Sequence, residues 1–392
     1  MDYKSIKMDY KSIMTNTDLL YKACKDAVKT SCWKSESQQF KLNILENVSK
    51  LKQELKNQTY KSGKTREFTL SERGKVRAIS SLSPYDKTVR HAFCDNILVP
   101  TLSRYLIYDN GASIKGKGIS HTRKRFEVHL HKFFREHNSN DGYILFGDFS
   151  KYYDNIRHDK AKEDICKIFH YDSYVSWLLD ELFKGFEIDM SNSEKSISEL
   201  MDMKFNKLEY INPHKNEKMI PKSVNIGDQL SQIVGVFYPH KIDNYIKIIQ
   251  SNKYYGRYMD DFYIIHHDKE YLKRLLEDIK QIADEYGIYI NLKKTRIVKL
   301  SSTYKFLQIR YSLTSTGKLI KRINPKRTTA MRKRLKKLYK KYLNKQVEYK
   351  DIENMYKSWI GSYHKVLSNQ SLNNLNNLYN NLFIYPFIKG AQ

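Results

Sequence analysis

Three aspartates have the residue type and spacing for chemistry. Asp148 ends the apolar run Tyr143-Ile-Leu-Phe-Gly-Asp-Phe149, and Asp260 and Asp261 stand side by side in Tyr258-Met-Asp-Asp-Phe262, about 110 residues further on. Alone, Asp148 fits a strand-end cap and the Asp-Asp pair fits a turn. Adjacent carboxylates in apolar, aromatic surroundings raise each other's pKa, and a divalent cation removes that cost. On neighbouring strand ends the three would form a donor set for hard, oxygen-seeking Mg²⁺. Two such ions about 4 Å apart clamp the attacking and leaving oxygens of a phosphoryl transfer.

The elements that must position these groups are legible from periodicity. Residues 15–58 read as helical, with apolar residues including Leu19, Leu20, Ala23, Leu42, Leu45, Val48 and Leu51 at helical spacing. Residues 59–79 read as two strands around a basic turn, and 84–106 as a helix opened by Ser83-Pro84. A glycine- and lysine-rich loop, 111–118, leads into a helix to about 136. A buried strand is expected at 143–149 and a short helix at 159–169. The polar, weakly periodic stretch 184–222 reads as an insertion or lid. Helical periodicity resumes at 228–250, and a hairpin around Met259-Asp260-Asp261 spans 254–266. A helix (269–286), a strand (288–290) and a second hairpin (297–313) follow, and the chain is helical from Pro325 onward.

Composition narrows the function. The 392 residues contain 70 Lys and Arg against 43 Asp and Glu, a net charge of +27, with 40% hydrophobic and 13% aromatic residues. Such a chain folds, and its charge calls for a polyanion, nucleic acid first. Residues 318–345 hold thirteen Lys or Arg and no Asp or Glu, arranged around Met331, Leu335, Leu338 and Leu343. Thirteen mutually repelling cations imply an anionic partner. No apolar run of about 18 residues predicts a membrane span, and no secretory signal is legible. The four cysteines form no CxxC pair or zinc spacing, and a reducing cytoplasm is expected. The twelve histidines lack a coherent ligand set. The hexapeptide Met-Asp-Tyr-Lys-Ser-Ile occurs at 1–6 and again at 8–13, which reads as a start-site duplication rather than a structural repeat.

Taken in order, the motifs resemble the reverse transcriptases of prokaryotes, including those of diversity-generating retroelements and of antiphage defence. The resemblance runs from about residue 60 to 385. Asp148 with Tyr153 is similar to the family's first catalytic motif, and Tyr258-Met-Asp-Asp261 to its best-known signature. Ile226-Gly-Asp-Gln-Leu-Ser-Gln232 resembles the IGxxxSQ form. Asn291-Leu-Lys-Lys-Thr295 resembles the motif that places a lysine near the triphosphate, and Phe306-Leu-Gln-Ile-Arg310 the primer grip. Lys75-Val-Arg77 with Asp86 and Arg90 resembles fingers motifs. Asn110–Gly118 and Ser358-Trp-Ile-Gly361 have counterparts in the same bacterial enzymes.

The resemblance implies an α+β, right-hand fingers–palm–thumb polymerase. Its parts would be a helical N-terminal extension (1–58), fingers (59–145), a palm (146–317, with the insertion 184–222) and a basic helical thumb (318–392). It implies Mg²⁺-dependent addition of dNTPs to a 3′-hydroxyl on an RNA template. Two ions, with Mn²⁺ an alternative, would be held by Asp148, Asp260, Asp261 and the Phe149 carbonyl. Lys294 would stabilise or protonate the leaving pyrophosphate, and Lys75 and Arg77 would grip the triphosphate. Tyr153 matches the steric gate against a ribose 2′-hydroxyl. Gly227 would let backbone approach the templating pair, and Gln232 would contact a base or sugar or cap its helix. Phe306, Leu307, Lys333, Arg334 and Lys337 would contact nucleic acid. Expected partners are an RNA template or noncoding RNA, the DNA product, dNTPs and a partner protein or second copy, with no membrane. No endonuclease, RNase H or integrase segment is legible, so a narrow bacterial or phage task is expected rather than independent mobility. The competing readings are a defence polymerase making repetitive or untemplated DNA on a noncoding RNA or protein primer, template-repeat copying, a non-catalytic RNA-binding module, and an RNA polymerase.

Overall fold

The structure is a computed structural model describing residues 8–63, 65–72, 74–210 and 217–384. The first hexapeptide copy, residues 211–216 of the polar stretch and residues 385–392 of the expected thumb lie outside the described residues. In chain order the helices α1 (Tyr10–Met14), α2 (Thr17–Val28), α3 (Ser35–Leu42) and α4 (Ile44–Asn57) precede a hairpin, β1 (Arg66–Glu72) and β2 (Lys75–Ser81). Then come α5 (Pro84–Phe93), α6 (Val99–Leu102), α7 (Ile119–His137), β3 (Tyr143–Asp148), α8 (His158–Ile168) and α9 (Ser173–Lys184). The next elements are β4 (Ile188–Asp189), α10 (Ile197–Asp202), β5 (Met219–Ile220), α11 (Gln229–Phe237), α12 (His240–Asn244), β6 (Tyr255–Tyr258) and β7 (Asp261–His266). The described chain ends with α13 (Lys269–Glu285), β8 (Arg296–Lys299), β9 (Tyr304–Phe306), β10 (Ile309–Leu313), β11 (Leu319–Ile323), α14 (Pro325–Leu343), α15 (Tyr349–Tyr363) and α16 (Asn369–Phe383).

Contacts divide the chain into two compact units. The first comprises the residues up to Thr122, Leu145–Ile264 and Glu270–Arg296, and the second comprises Arg123–Ile144, Ile265–Lys269 and the chain from Ile297. In the first unit the N-terminal helices form as their sequence dictates. Asn16 caps α2 by accepting from the Asp18 and Leu19 amides, and Leu20, Ala23, Cys24, Ala27 and Val28 form its buried stripe. In α4 the buried stripe is Val48, Leu51 and Leu55. That stripe leaves Leu45, expected inside, 73% exposed, and Leu42, also expected inside and the last residue of α3, is 84% exposed. Ser83 and Pro84 open α5 as expected, the Ser83 hydroxyl accepting from the Asp86 amide at 3.1 Å. The helix expected to 106 is instead interrupted by a π turn at Cys94–Leu98. Pro100 has no N–H for the Asn96 carbonyl and its ring crowds that carbonyl, which the wider turn relieves.

A four-stranded sheet of order β6-β7-β3-β8 carries the three aspartates. In β3, Ile144 and Leu145 are fully buried. Gly147 lets β3 pack, because a Cβ there would lie 2.0 Å from the Phe262 ring. Behind the β6–β7 hairpin, Arg257 and Asp243 form a buried bidentate pair, with Nε to Oδ1 at 2.8 Å and Nη2 to Oδ2 at 2.6 Å. Arg257 also donates to the carbonyls of Met259 and Val236.

Two expectations need correction. The stretch 184–222 is not a bare polar lid. Its described residues fold around Ile188, Met190, Leu200, Phe205 and Ile220, and β4 pairs with β5. Five apolar residues scattered among charged ones give no period, so their convergence was hidden. The strand expected at 288–290 is a single bridge between Ile290 and Phe149, confined between left-handed Gly287 (φ 65°) and the bend at Asn291.

In the second unit, β9, β10 and β11 form an antiparallel sheet of order β11-β10-β9. Phe126 of α7 packs against Phe306 and Tyr311, with ring centroids 4.8 and 5.1 Å apart. The helices α14, α15 and α16 share a core of Met331, Leu335, Ile352, Tyr356, Leu375, Tyr379 and Phe383.

The Arg257–Asp243 pair yields a stability prediction. Asp243→Asn leaves the buried guanidinium without its counter-charge and should lower unfolding free energy by about 3–5 kcal/mol. Urea denaturation would check it, and a loss below about 1 kcal/mol would mean that solvent reaches the pair.

Candidate active site

The site is built where β3 ends beside the β6–β7 turn. Tyr258 pairs with Asp261, so Met259 and Asp260 form a two-residue turn. Met259 takes a left-handed conformation, φ 58°, costly for a non-glycine residue. The Arg257 guanidinium holds that turn by donating to the Met259 carbonyl at 2.9 Å. The Phe149 amide donates to the Asp260 carbonyl at 3.1 Å, which ties the end of β3 to the turn. On the other side the Asn291 amide donates to the Asp148 carbonyl at 2.8 Å, and the Ser150 amide to the Tyr289 carbonyl at 2.6 Å. These bonds close the Phe149–Ile290 bridge and leave the Phe149 carbonyl out of the ladder.

Asp148 is only 4% exposed. Its carboxylate accepts from Asn291 Nδ2 at 2.9 Å and from Lys294 Nζ at 2.7 and 2.9 Å. Burial raises the Asp260 carboxyl above its ordinary range, with the Asp148 charge adding to the effect. Asp261 is pushed up to about 7 by burial, then by the charges of Asp260 and Asp148, with a side-chain hydrogen bond to Asp148 contributing. Burial alone would lower the Lys294 ammonium, but its bond to Asp148 and the charges of all three aspartates raise it.

Among the described residues no group of three or more His, Cys, Asp or Glu stands assembled as a metal cluster. The carboxylates nevertheless act on one another electrostatically, and Lys294 is bonded to Asp148. Three oxygen donors that repel one another at one end of a sheet, one of them buried, have the chemistry to hold a hard divalent ion.

The other expected residues fall in different settings. Lys75 stands exposed at the start of β2, and Arg77, also exposed, is close enough to stabilise the Asp260 charge. Tyr153 packs its ring against Gly235, and its hydroxyl lies 3.5 Å from the Met259 sulfur, which brings it beside the carboxylate turn. Gly227 has φ 99° with open space where a Cβ would be. Gly227 and Gln232 line a cavity of about 420 Å³ with Phe68, Ile79, Lys87 and Arg90. Gln232 accepts from the Ser113 hydroxyl at 3.5 Å, and α11 begins at Gln229, so Gln232 lies inside the helix rather than capping it.

In the second unit, Phe306 is buried at 4% exposure against Phe126 and presents no ring to nucleic acid, which corrects its expected contact role. Alternation along β9 points it into the core. Leu307 and Gln308, with φ 40° and 77°, make the turn instead. Arg123 donates twice to the Leu307 carbonyl, and Tyr363 donates to Gln308. Lys333, Arg334 and Lys337 are exposed on α14, opposite buried Met331 and Leu335. Sequence reasoning missed Asn291 as a direct partner of Asp148, and missed Arg123, Arg257 and Asp243. A charged residue inside an apolar strand, as in Tyr255-Gly-Arg-Tyr258, was the available signal for Arg257.

Residues 56–311 match the family model described as reverse transcriptase (RNA-dependent DNA polymerase). A sequence search of curated proteins finds no match. Among solved structures, the chain is similar to apo telomerase from Candida tropicalis, at 14% identity and TM-score 0.47, over 71% of this chain and 53% of that one. It is also similar to telomerase from Candida albicans in complex with a TWJ fragment of telomeric RNA, at 12% identity and TM-score 0.44, over 68% of this chain and 46% of that one. The chain spans about half the length of these telomerase chains.

The raised Asp261 carboxyl gives a pH dependence. Its folded pKa of about 7 lies above the ordinary 3.8, so its stabilising contribution is complete below 3.8 and lost as pH rises through about 7. With a chelator present, thermal stability should fall from pH 6 to 8, and Asp261→Asn should flatten that slope. An unchanged slope in the variant would assign the dependence to another group.

Proposed function

The chain belongs to the reverse transcriptase family, and from that premise we propose that it is an RNA-templated DNA polymerase that adds dNTPs to a primer 3′-hydroxyl. The observation that carries this reading is the convergence of Asp148, Asp260, Asp261 and Lys294 on one end of one sheet. The family uses divalent metal ions, and we assign two Mg²⁺, with Mn²⁺ able to substitute, to Asp148, Asp260, Asp261 and the Phe149 carbonyl. Bound there, such ions lower the pKa of the attacking hydroxyl and neutralise charge that develops on the phosphate.

The remaining work is positioning. The primer 3′-oxygen attacks the α-phosphorus, its proton passes to solvent, and the bond from the α-phosphorus to the bridging oxygen breaks to release pyrophosphate. Lys294 donates a hydrogen bond or proton to that leaving group. Arg77 and Lys75 hold the triphosphate by charge-assisted hydrogen bonds. The Tyr153 ring, seated on Gly235 beside Met259, fills the space a 2′-hydroxyl would need. Gly227 and Gln232 face the templating pair. On α14, Lys333, Arg334 and Lys337 track duplex phosphates, with the Leu307–Gln308 turn at the primer.

The IGxxxSQ-like segment at 226–232 supports a narrower assignment to a bacterial or phage system such as antiphage defence, in the cytoplasm, with the RNA as template or as a bound noncoding RNA. A partner protein or second copy belongs to the same assignment. The decisive experiment is nucleotide incorporation by the purified chain with Mg²⁺ on primed RNA, primed DNA and no added nucleic acid. The expected result is dNTP incorporation on primed RNA, reduced at least about 10³-fold in Asp260→Asn/Asp261→Asn. Tyr153→Val should raise rNTP incorporation relative to dNTP at least about tenfold. Fixed-sequence products without added template would replace templated copying with synthesis on a bound RNA or protein primer. Full biological activity in the double aspartate variant would reduce the protein to a binding module.

A further inference from the structure

The 184–222 stretch brings a lysine into the walls of the nucleotide site. Lys207 lies in the helical turn Lys207–Tyr210, and it is 7% exposed. Its ammonium donates to the Ser80 hydroxyl of β2 at 2.9 Å and to Asn225 Oδ1 at 2.7 Å, and it pairs with the Glu67 carboxylate of β1 at 3.2 Å. Its backbone amide donates to Asp154 Oδ2 at 3.2 Å. One residue thereby joins both strands of the hairpin that carries Lys75 and Arg77, the segment two residues before Gly227, and the neighbour of Tyr153.

The same segment is anchored just before that lysine. Asn155 and Phe205 exchange hydrogen bonds, Asn155 Nδ2 donating to the Phe205 carbonyl at 3.1 Å and the Phe205 amide to Asn155 Oδ1 at 2.7 Å. Lys151 Nζ donates to Asn206 Oδ1 at 2.8 Å. Lys222, fully buried, donates to the carbonyls of Met201 and Met203. Residues 205–207 are therefore fastened to the loop after Asp148. A buried ammonium needs all of its donors satisfied, and here the acceptors come from separate walls of one site. A lid that opened freely would strand that charge.

We infer that Lys207 is a positioning residue, and that residues 201–210 form a brace holding the β1–β2 hairpin at a fixed distance from Tyr153 and Gly227. The inference rests on the polymerase reading. Arg77 is three residues from Ser80 along one strand, about 10 Å, so the anchor at Ser80 fixes where the triphosphate grip stands. The strand transmits the anchor because its ladder runs unbroken from Arg66 with Ser81 to Glu72 with Lys75. The brace acts on nucleotide binding rather than on the bond-making groups.

The test uses the full chain on primed RNA with Mg²⁺ and compares wild type, Lys207→Met and Glu67→Gln. Lys207→Met should raise KM for dNTP about tenfold with kcat within about twofold, and Glu67→Gln about threefold in the same direction. Backbone amides of 66–81 should exchange hydrogen faster in both variants, with those of α13 unchanged. Unchanged KM with unchanged hairpin exchange would overturn the inference, as would a fall in kcat with faster exchange throughout the chain. If Lys207→Met does not fold, Glu67→Gln decides, since it removes the counter-charge and keeps an oxygen that can accept from Ser80. If wild type incorporates no nucleotide, the polymerase reading fails on its own. Hairpin exchange then decides the brace alone, which stands if exchange quickens and falls if it does not.

Discussion

Mutual repulsion among three carboxylates is the constraint around which the first unit is organised. Burial, and then the neighbouring carboxylate charges, raise the pKa of Asp260 and Asp261, a cost an unconstrained chain would avoid by moving Asp148, Asp260 and Asp261 apart. The surrounding structure prevents that. Gly147 admits the Phe262 ring, Arg257 holds the left-handed Met259, and the Phe149 amide binds the Asp260 carbonyl. Lys294 then balances part of the charge by its bond to Asp148. A site arranged this way is stabilised by a divalent ion and is poised for phosphoryl chemistry rather than for proton transfer alone.

The cations of this basic chain divide into two kinds. Arg90, Arg257, Lys207 and Lys222 are buried; the first three find their acceptors on more than one element, and Lys222 finds its acceptors at the end of α10. Arg90, for instance, joins α5 to Asp228 at 2.7 Å and to the Leu182 carbonyl at 2.9 Å. Their role is geometric, since a buried charge is stable only in one arrangement. Lys75, Arg77, Lys333, Arg334 and Lys337 are exposed and suited to phosphates. The net charge of +27 reports the second kind, and the precision of the site depends on the first.

The carboxylate strand and hairpin were legible in the sequence because strand, turn and function coincide there. Tyr143–Asp148 and the hairpin around Asp260 formed as read, as did the helices at 119–137 and 325–343. Local chemistry sufficed for those elements, including Ser83 and Pro84 at a helix start. Failures came where tertiary packing decided. Leu42 and Leu45 continue a helical pattern and yet face outward, and Phe306 sits in a motif that suggests contact and yet fills a core. Helix α9 was not anticipated, although Asp172 caps it with bonds to the Tyr174 and Val175 amides. The 184–222 stretch was the largest miss. Its function lies in partners far away in sequence, and Lys207 has no local signature to separate it from a surface lysine.

The most direct test of the central claim, that the three aspartates form a divalent-ion centre, is electron paramagnetic resonance of Mn²⁺ titrated into the purified chain. The account predicts a bound Mn²⁺ fraction in wild type that Asp148→Asn abolishes or weakens by at least about tenfold, because its carboxylate is the most buried of the three donors. Equal Mn²⁺ binding by wild type and Asp148→Asn would contradict it and place any bound ion elsewhere.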